Sequence, residues 1–245
     1  MRVDNREPEE LRKINVIPNF LKYADGSAII ELGNTRVLCT ASLDNHSPPH
    51  LVGTGQGWVT AEYDMHPCAS TQRKMRDRIR GRIPGRSAEI QRLIGRSLRA
   101  VVELEKLGER TFYIDCDVLQ ADGGTRTASI TGAYIALALA MQKHVDEGKL
   151  GRLFLKDFIA AISVGIVEET MVLDLSYLED SQAAVDMNVV MNGSDEMIEI
   201  QGTAEIKPFS PDQLSQMIVM AQKGIHQLIS VQKEILDIEK LSLKE

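Results

Sequence analysis

Hydrophobic and polar positions alternate with period two from Thr111 to Leu119, placing Phe112, Ile114, Cys116 and Val118 on one face and Tyr113, Asp115 and Asp117 on the other. That period predicts a strand. Asp122-Gly123-Gly124 then breaks the pattern as a turn, and from Thr125 to Met141 the chain is apolar nearly all round, through Ile130, Ala133, Ile135, Ala136, Leu137, Ala138 and Leu139. A helix of that composition belongs in a core. Its first-turn N–H groups have no intrahelical partners, and the glycines before them let an anion approach the backbone. Gly124, Thr125 and Arg126 therefore form a candidate phosphate site. The plainer reading is a strand-to-helix connection with Thr125 as N-cap and Arg126 in solvent.

The same reasoning places the other elements. Gly26 to Leu32, Arg36 to Ser42 and Gly57 to Tyr63 predict an antiparallel β region within residues 1–63, with Gly33-Asn34-Thr35 closing a hairpin. Gly53-Thr-Gly-Gln-Gly57 precedes a strand and lacks a following Lys-Ser/Thr, so it is a loop and not a nucleotide cradle. Ser87 is placed to N-cap a helix running to Leu107, with Ile90, Leu93, Ile94, Leu98, Val101 and Val102 as its buried stripe and Arg92, Arg96 and Arg99 on another face. Arg86 stands at that helix's N-terminus, where a cation opposes the dipole unless an anion lies between. Phe158 to Val167, Met171 to Leu175, Asp186 to Met191 and Met197 to Gln201 predict strands. Ser210-Pro211-Asp212-Gln213 opens a long helix with an N-cap, a first-turn proline and a capping-box glutamine. Two β regions, each followed by helix and joined without a low-complexity linker, predict one compact α+β unit over residues 1–245. Its two halves fall at 10–141 and 158–225.

Composition sharpens this picture. With 245 residues, 43% of them hydrophobic, the chain has ample material for a core. No run approaches the roughly 18 apolar residues of a membrane span, and the charged start has no apolar signal region, so a cytoplasmic protein is expected. Cys39, Cys68 and Cys116 are scattered, which points to neither disulfides nor structural zinc. The formal charge of −7 hides a segregated distribution. Residues 66–99 hold ten basic side chains against Asp77 and Glu89, whereas residues 157–206 hold eleven acids and no Lys or Arg. Arg73, Arg76 and Arg80 lie in a stretch without apolar periodicity, Cys68 to Arg86, which predicts a basic loop. Such a loop suits RNA phosphates, and it equally suits plain solvation. The acidic stretch suits a divalent cation, or it simply faces the basic one across an interface.

Three segments carry a resemblance: Gly85-Arg-Ser-Ala-Glu-Ile-Gln-Arg-Leu-Ile-Gly95, Asp115 to Gly132, and Glu179-Asp-Ser-Gln-Ala-Ala-Val-Asp-Met-Asn-Val-Val190. With Gly57-Trp-Val-Thr-Ala-Glu-Tyr63 and Gln201-Gly-Thr-Ala-Glu205 added, almost the whole chain resembles the bacterial ribonuclease PH family, phosphorolytic exoribonucleases that trim tRNA 3′ ends. The resemblance implies a ribosomal protein S5 domain 2-like βα sandwich assembled as a hexameric trimer of dimers. It implies inorganic phosphate as co-substrate on Arg86, Gly124, Thr125 and Arg126. It also implies Asp180 and Asp186 as the catalytic, Mg²⁺-linked pair, and tRNA precursors, with rRNA-processing intermediates, as substrates. Two departures stand out: Cys68 follows Pro67 where the family often has arginine, and Asn5-Arg6 replaces a Gly-Arg.

The residue chemistry agrees with that implication. Phosphorolysis uses a nucleophile that is already ionised, so a site without histidine is sufficient. Arg86 and Arg126 offer forked donors to phosphate, and Mg²⁺ on Asp180 and Asp186 would offset charge at the leaving oxygen, with proton donation by Asp180 as the other role. A catalytically silent RNA-binding ring subunit is the competing expectation. A small-molecule phosphotransferase would need a glycine-rich ATP cradle that the chain lacks.

Overall fold

The computed structural model describes residues 2–76, 79, 81 and 83–236, and among these described residues the chain forms nine strands and five helices. The first sheet has the order β1-β2-β3-β5-β4, formed by β1 (Ile14–Pro18), β2 (Gly26–Leu32), β3 (Thr35–Asp44), β4 (Trp58–Met65) and β5 (Thr111–Gln120). Strands β1, β2, β3 and β5 pair antiparallel, but β4 and β5 run parallel. The expectation of an all-antiparallel region is corrected here, because the β4–β5 connection holds α1 (Gly85–Ala100) and α2 (Leu104–Leu107) and is long enough for a crossover. β1 was not foreseen. The second sheet, β7-β6-β8-β9, is antiparallel and consists of β6 (Ile159–Val167), β7 (Thr170–Leu173), β8 (Val185–Asn192) and β9 (Met197–Ala204).

Between the sheets lies α3 (Thr125–Asp146), whose residues from Thr127 to Ala138 are all buried. It packs on β2 and β3 on one side and on β6 on the other. The approach is close enough to need glycine: a Cβ on Gly26 would sit 2.1 Å from the Ala136 carbonyl oxygen, and one on Gly132 would sit 2.7 Å from Ile30. One continuous apolar cluster results, drawing on both sheets, α1, α3 and α5 (Pro211–Ile235). The capping box at Ser210 forms as the sequence indicates, with Gln213 N–H donating to Ser210 Oγ and Ser210 N–H donating to the Gln213 side chain.

Helix α1 corrects its predicted bounds. It starts at Gly85 with Pro84 as N-cap, and Ser87 is buried inside its first turn. It also stops at Ala100, because Val102 bridges Leu155 and the Glu103 N–H donates to the Phe154 carbonyl, tertiary pairings that compete with helix continuation. The short helix α4 (Tyr177–Asp180), which sequence patterning does not reveal, carries Asp180 at its end.

Candidate active site

The N-termini of α1 and α3 open into one cleft of about 600 Å³, faced from the second sheet by α4 and β8. Its walls bring together Arg86, Gly124, Thr125, Arg126, Asp180 and Asp186. The N-cap of α3 is Gly124 rather than Thr125, in the left-handed region at φ +64° and with no side chain to cap the helix. The first backbone hydrogen bond of that helix runs from Ala128 N–H to the Gly124 carbonyl, so the N–H groups ahead of it stay available to an anion. Gly123 is also left-handed, at φ +78°, and a Cβ there would lie 2.5 Å from the Leu175 carbonyl oxygen. Both glycines are therefore required by geometry.

Arg86 sits in the first turn of α1 with no acidic residue beside it in that turn and no hydrogen bond or ion pair among the described residues. Arg126 is oriented instead of free. Its Nη1 donates to Gln201 Oε1 at 2.8 Å and lies 3.7 Å from Glu89, while Gln201 Nε2 donates to Glu89 and Glu199 at 3.0 Å each. Thr125 Oγ1 is hydrogen-bonded to the buried Tyr63 hydroxyl at 2.9 Å. Two arginines beside open helix N–H groups give this end of the cleft the chemistry that suits an oxyanion.

At the other end the carboxylates hold their protons unusually well. Burial pushes Asp186 up to about 6, the charge of Asp180 adds to that push, and Arg126 and Arg86 oppose it. Burial also raises Asp180, again against Arg86 and Arg126. Among the described residues no group of three or more His, Cys, Asp or Glu side chains is placed to hold a metal ion. A pair of carboxylates in a roomy, water-accessible cleft nevertheless suits Mg²⁺, which takes one or two protein carboxylates and completes its shell with water and phosphate oxygens. The mutual repulsion of Asp180 and Asp186 is what a cation there would relieve.

A buried arginine network fixes this geometry, and sequence patterning missed it. Arg12 donates to Asp174 from Nη2 at 2.6 Å and from Nε at 2.9 Å, and its Nη1 reaches the carbonyls of Asp122 and Gly123 in the glycine turn. Arg2 binds both oxygens of Glu179 at 2.7 and 2.9 Å, and Arg6 reaches Glu179 at 3.4 Å and the Asp174 carbonyl at 3.1 Å. Burial acts to raise Glu179, but Arg2 and the Ser176 donors outweigh it and hold the carboxyl at about 2. Asp174 and Glu179 from the acidic run thus serve the N-terminal arginines, and Glu199 faces α1, where Arg96 lies 2.9 Å from it without an aligned hydrogen bond. The one available hint was a run of eleven acids with no basic residue of its own.

The loop residues are placed less uniformly. Lys74 lines the cleft, whereas Arg73 is simply exposed. Arg76 lines a separate cleft with Glu62, Asp64, Asp115 and Asp117, and Arg80 lies outside the described residues. Ser163 and Asn188 also face the active cleft. Asn188 was legible in principle, since it follows Asp186 by two on β8 and so shares its face.

Comparison with known proteins decides the family. Residues 10–142 match domain 1 of the 3′ exoribonuclease (RNase PH) family, and residues 157–224 match domain 2. The chain belongs to the RNase PH family. Proteins named ribonuclease PH from Bacillus cereus and Bacillus anthracis are each 56% identical over 237 residues, covering 96% of this chain and 97% of their own length. The RNase PH chain is accordingly a phosphorolytic 3′ exoribonuclease, an enzyme of the nucleotidyltransferase type. Rice (Oryza sativa) Rrp46 shares the fold with a TM-score of 0.78 at 20% identity, over 96% of this chain and 99% of its own. A chain of the Archaeoglobus fulgidus exosome, in a structure with RNA bound to the active site, does so with a TM-score of 0.80 at 23% identity, over 95% and 92%. These neighbours establish the RNase PH fold, an α+β arrangement of two sheets around a buried helix.

Proposed function

We propose that this exoribonuclease trims the 3′ ends of tRNA precursors, binding inorganic phosphate with Arg86, Gly124, Thr125 and Arg126 and working at Asp180 and Asp186. The convergence of two helix N-termini and two arginines opposite a buried carboxylate pair supports this assignment. Phosphate held by the forked guanidinium donors is aligned with the last phosphodiester, so that its oxygen attacks phosphorus as the bond to the 3′-oxygen breaks. The product is a nucleoside diphosphate, and the shortened RNA leaves with a 3′-hydroxyl. The arginines screen phosphate from the RNA backbone, a repulsion that would otherwise oppose in-line approach.

The leaving 3′-oxygen needs one proton, and burial raises the proton affinity of Asp180 from its ordinary value, against the opposing charges of Arg86 and Arg126. Asp180 and Asp186 are the residues that would hold Mg²⁺, which when bound supplies charge neutralisation at the phosphoryl oxygens and the leaving oxygen. Lys74, Arg73, Arg76 and Arg80 grip the RNA through its phosphates. A homohexamer, a trimer of dimers, would present several such loops to one structured RNA, and the cytoplasm is the expected setting.

Incubation with tRNA extended at its 3′ end, with and without phosphate and Mg²⁺, tests the proposal. Nucleoside diphosphates that appear only with phosphate support it. Monophosphates, or an unchanged RNA, would refute it, the second outcome matching a silent ring subunit.

A further inference from the structure

Tyr63 is the one buried aromatic hydroxyl that reaches the phosphate end of the cleft among the described residues. Strand β4 carries it, its side chain is 3% exposed, and its hydroxyl lies 2.9 Å from Thr125 Oγ1. It has no other hydrogen-bond partner among the described residues, and it does not line the cleft itself. Thr125, in contrast, both meets Tyr63 and lines the cleft.

The hydroxyl of Thr125 has one proton to give. If that proton went to Tyr63, only lone pairs would face an incoming oxyanion, and the contact would be repulsive. With the phenol donating instead, the threonine proton is left for the anion. We propose that Tyr63 is a positioning residue for phosphate, its hydroxyl donating to Thr125 Oγ1 and so turning the threonine's own O–H into the cleft.

This inference rests on the reading of the cleft as a phosphate site. Burial supports it, because it raises the phenol's proton affinity, against Thr125 and the nearby Arg86 and Arg126, and keeps a donor in place. The role is one of orientation: Tyr63 acts through Thr125 and does not touch the reacting atoms.

Tyr63→Phe removes one oxygen and nothing else. Isothermal titration of the intact protein with inorganic phosphate alone should show an affinity weakened roughly three- to tenfold, the range of one neutral hydrogen bond. In turnover the loss should fall on KM for phosphate, with kcat at saturating phosphate within about twofold. Thr125→Val should bind weakly, and adding Tyr63→Phe to Thr125→Val should cost nothing further. Should Tyr63→Phe also lower the melting temperature, the cycle still decides, since a packing defect would persist in the Thr125→Val background. Wild-type affinity in Tyr63→Phe, losses that multiply in the double variant, or a loss confined to kcat would each overturn the inference. The titration uses no RNA, so absent RNA turnover would count against the enzymatic reading alone. No phosphate binding by the wild type would overturn both.

Discussion

Asp174→Asn should destabilise the fold strongly while leaving the phosphate site nearly intact. Asp174 is fully buried and accepts the Arg12 backbone N–H at 2.8 Å besides the two guanidinium bonds. Its φ of +55° lies in the left-handed region, which asparagine tolerates well, so the substitution removes the charge without straining the backbone. What remains is an Arg12 side chain only 4% exposed with its counter-ion gone. Breaking one side of a buried pair costs about 3–5 kcal/mol, and on a chain of this size that corresponds to a fall of roughly 6–20 °C in melting temperature. Arg12→Met added to Asp174→Asn removes the stranded charge, so most of the stability should return. The Asp122 carbonyl then loses its donor, while the Gly123 carbonyl keeps the Thr35 hydroxyl at 2.6 Å, and phosphate affinity should fall roughly three- to tenfold through the loosened glycine turn. Differential scanning calorimetry and phosphate titration on both variants read the crossed pattern. A double variant no more stable than Asp174→Asn would refute the stranded-charge argument, and one that binds phosphate like the wild type would refute the role of Arg12 in shaping the turn.

Asp186 makes the fold pH-sensitive in a defined direction: its folded-state value of about 6 exceeds the ordinary 3.8, so native protein holds the extra proton between those values and loses stability as pH rises through about 6. Asp186→Asn should therefore melt higher than the wild type at pH 8, by on the order of 3 kcal/mol, and show no advantage below pH 4; equal melting at both pH values would contradict the buried, repelled carboxylate. The same substitution should depress turnover far more than RNA binding, a split readable by pairing filter binding with single-turnover rates. Arg126→Ala should raise the phosphate concentration needed for turnover about ten- to a hundredfold, which a phosphate titration of nucleoside diphosphate release checks. Replacing Arg73, Arg76 and Arg80 by Ala together should weaken full-length tRNA more than a short single-stranded RNA and flatten the salt dependence of tRNA binding; equal effects on both RNAs, with a light-scattering mass near one chain, would rule out shared presentation by a ring.

Local patterning determined much of this protein. Strand β2 forms over the same residues that its composition indicates, α3 begins at Thr125 where the glycine turn ends, and the Ser210 capping box starts α5. Such features are legible because a two- or 3.6-residue period and a capping motif are local, set by which faces meet the core and which backbone groups lack partners. The glycine turn and Arg86 stand out as candidate chemistry for the same reason, each lying within a short, unusual string, whereas Asp180 and Asp186 are singled out only by the family resemblance. Tertiary structure decided what depends on partners far along the chain. Helix α1 ends at Ala100 because Val102 and Glu103 find Leu155 and Phe154, and β4 runs parallel to β5 because α1 carries the chain back across the sheet. The arginines at positions 2, 6 and 12 look like ordinary surface charges until Asp174 and Glu179, more than 160 residues away, bury them. No period encodes such a pair, since ion pairing follows proximity in space, and proximity across the cleft exists only once both sheets have closed on α3.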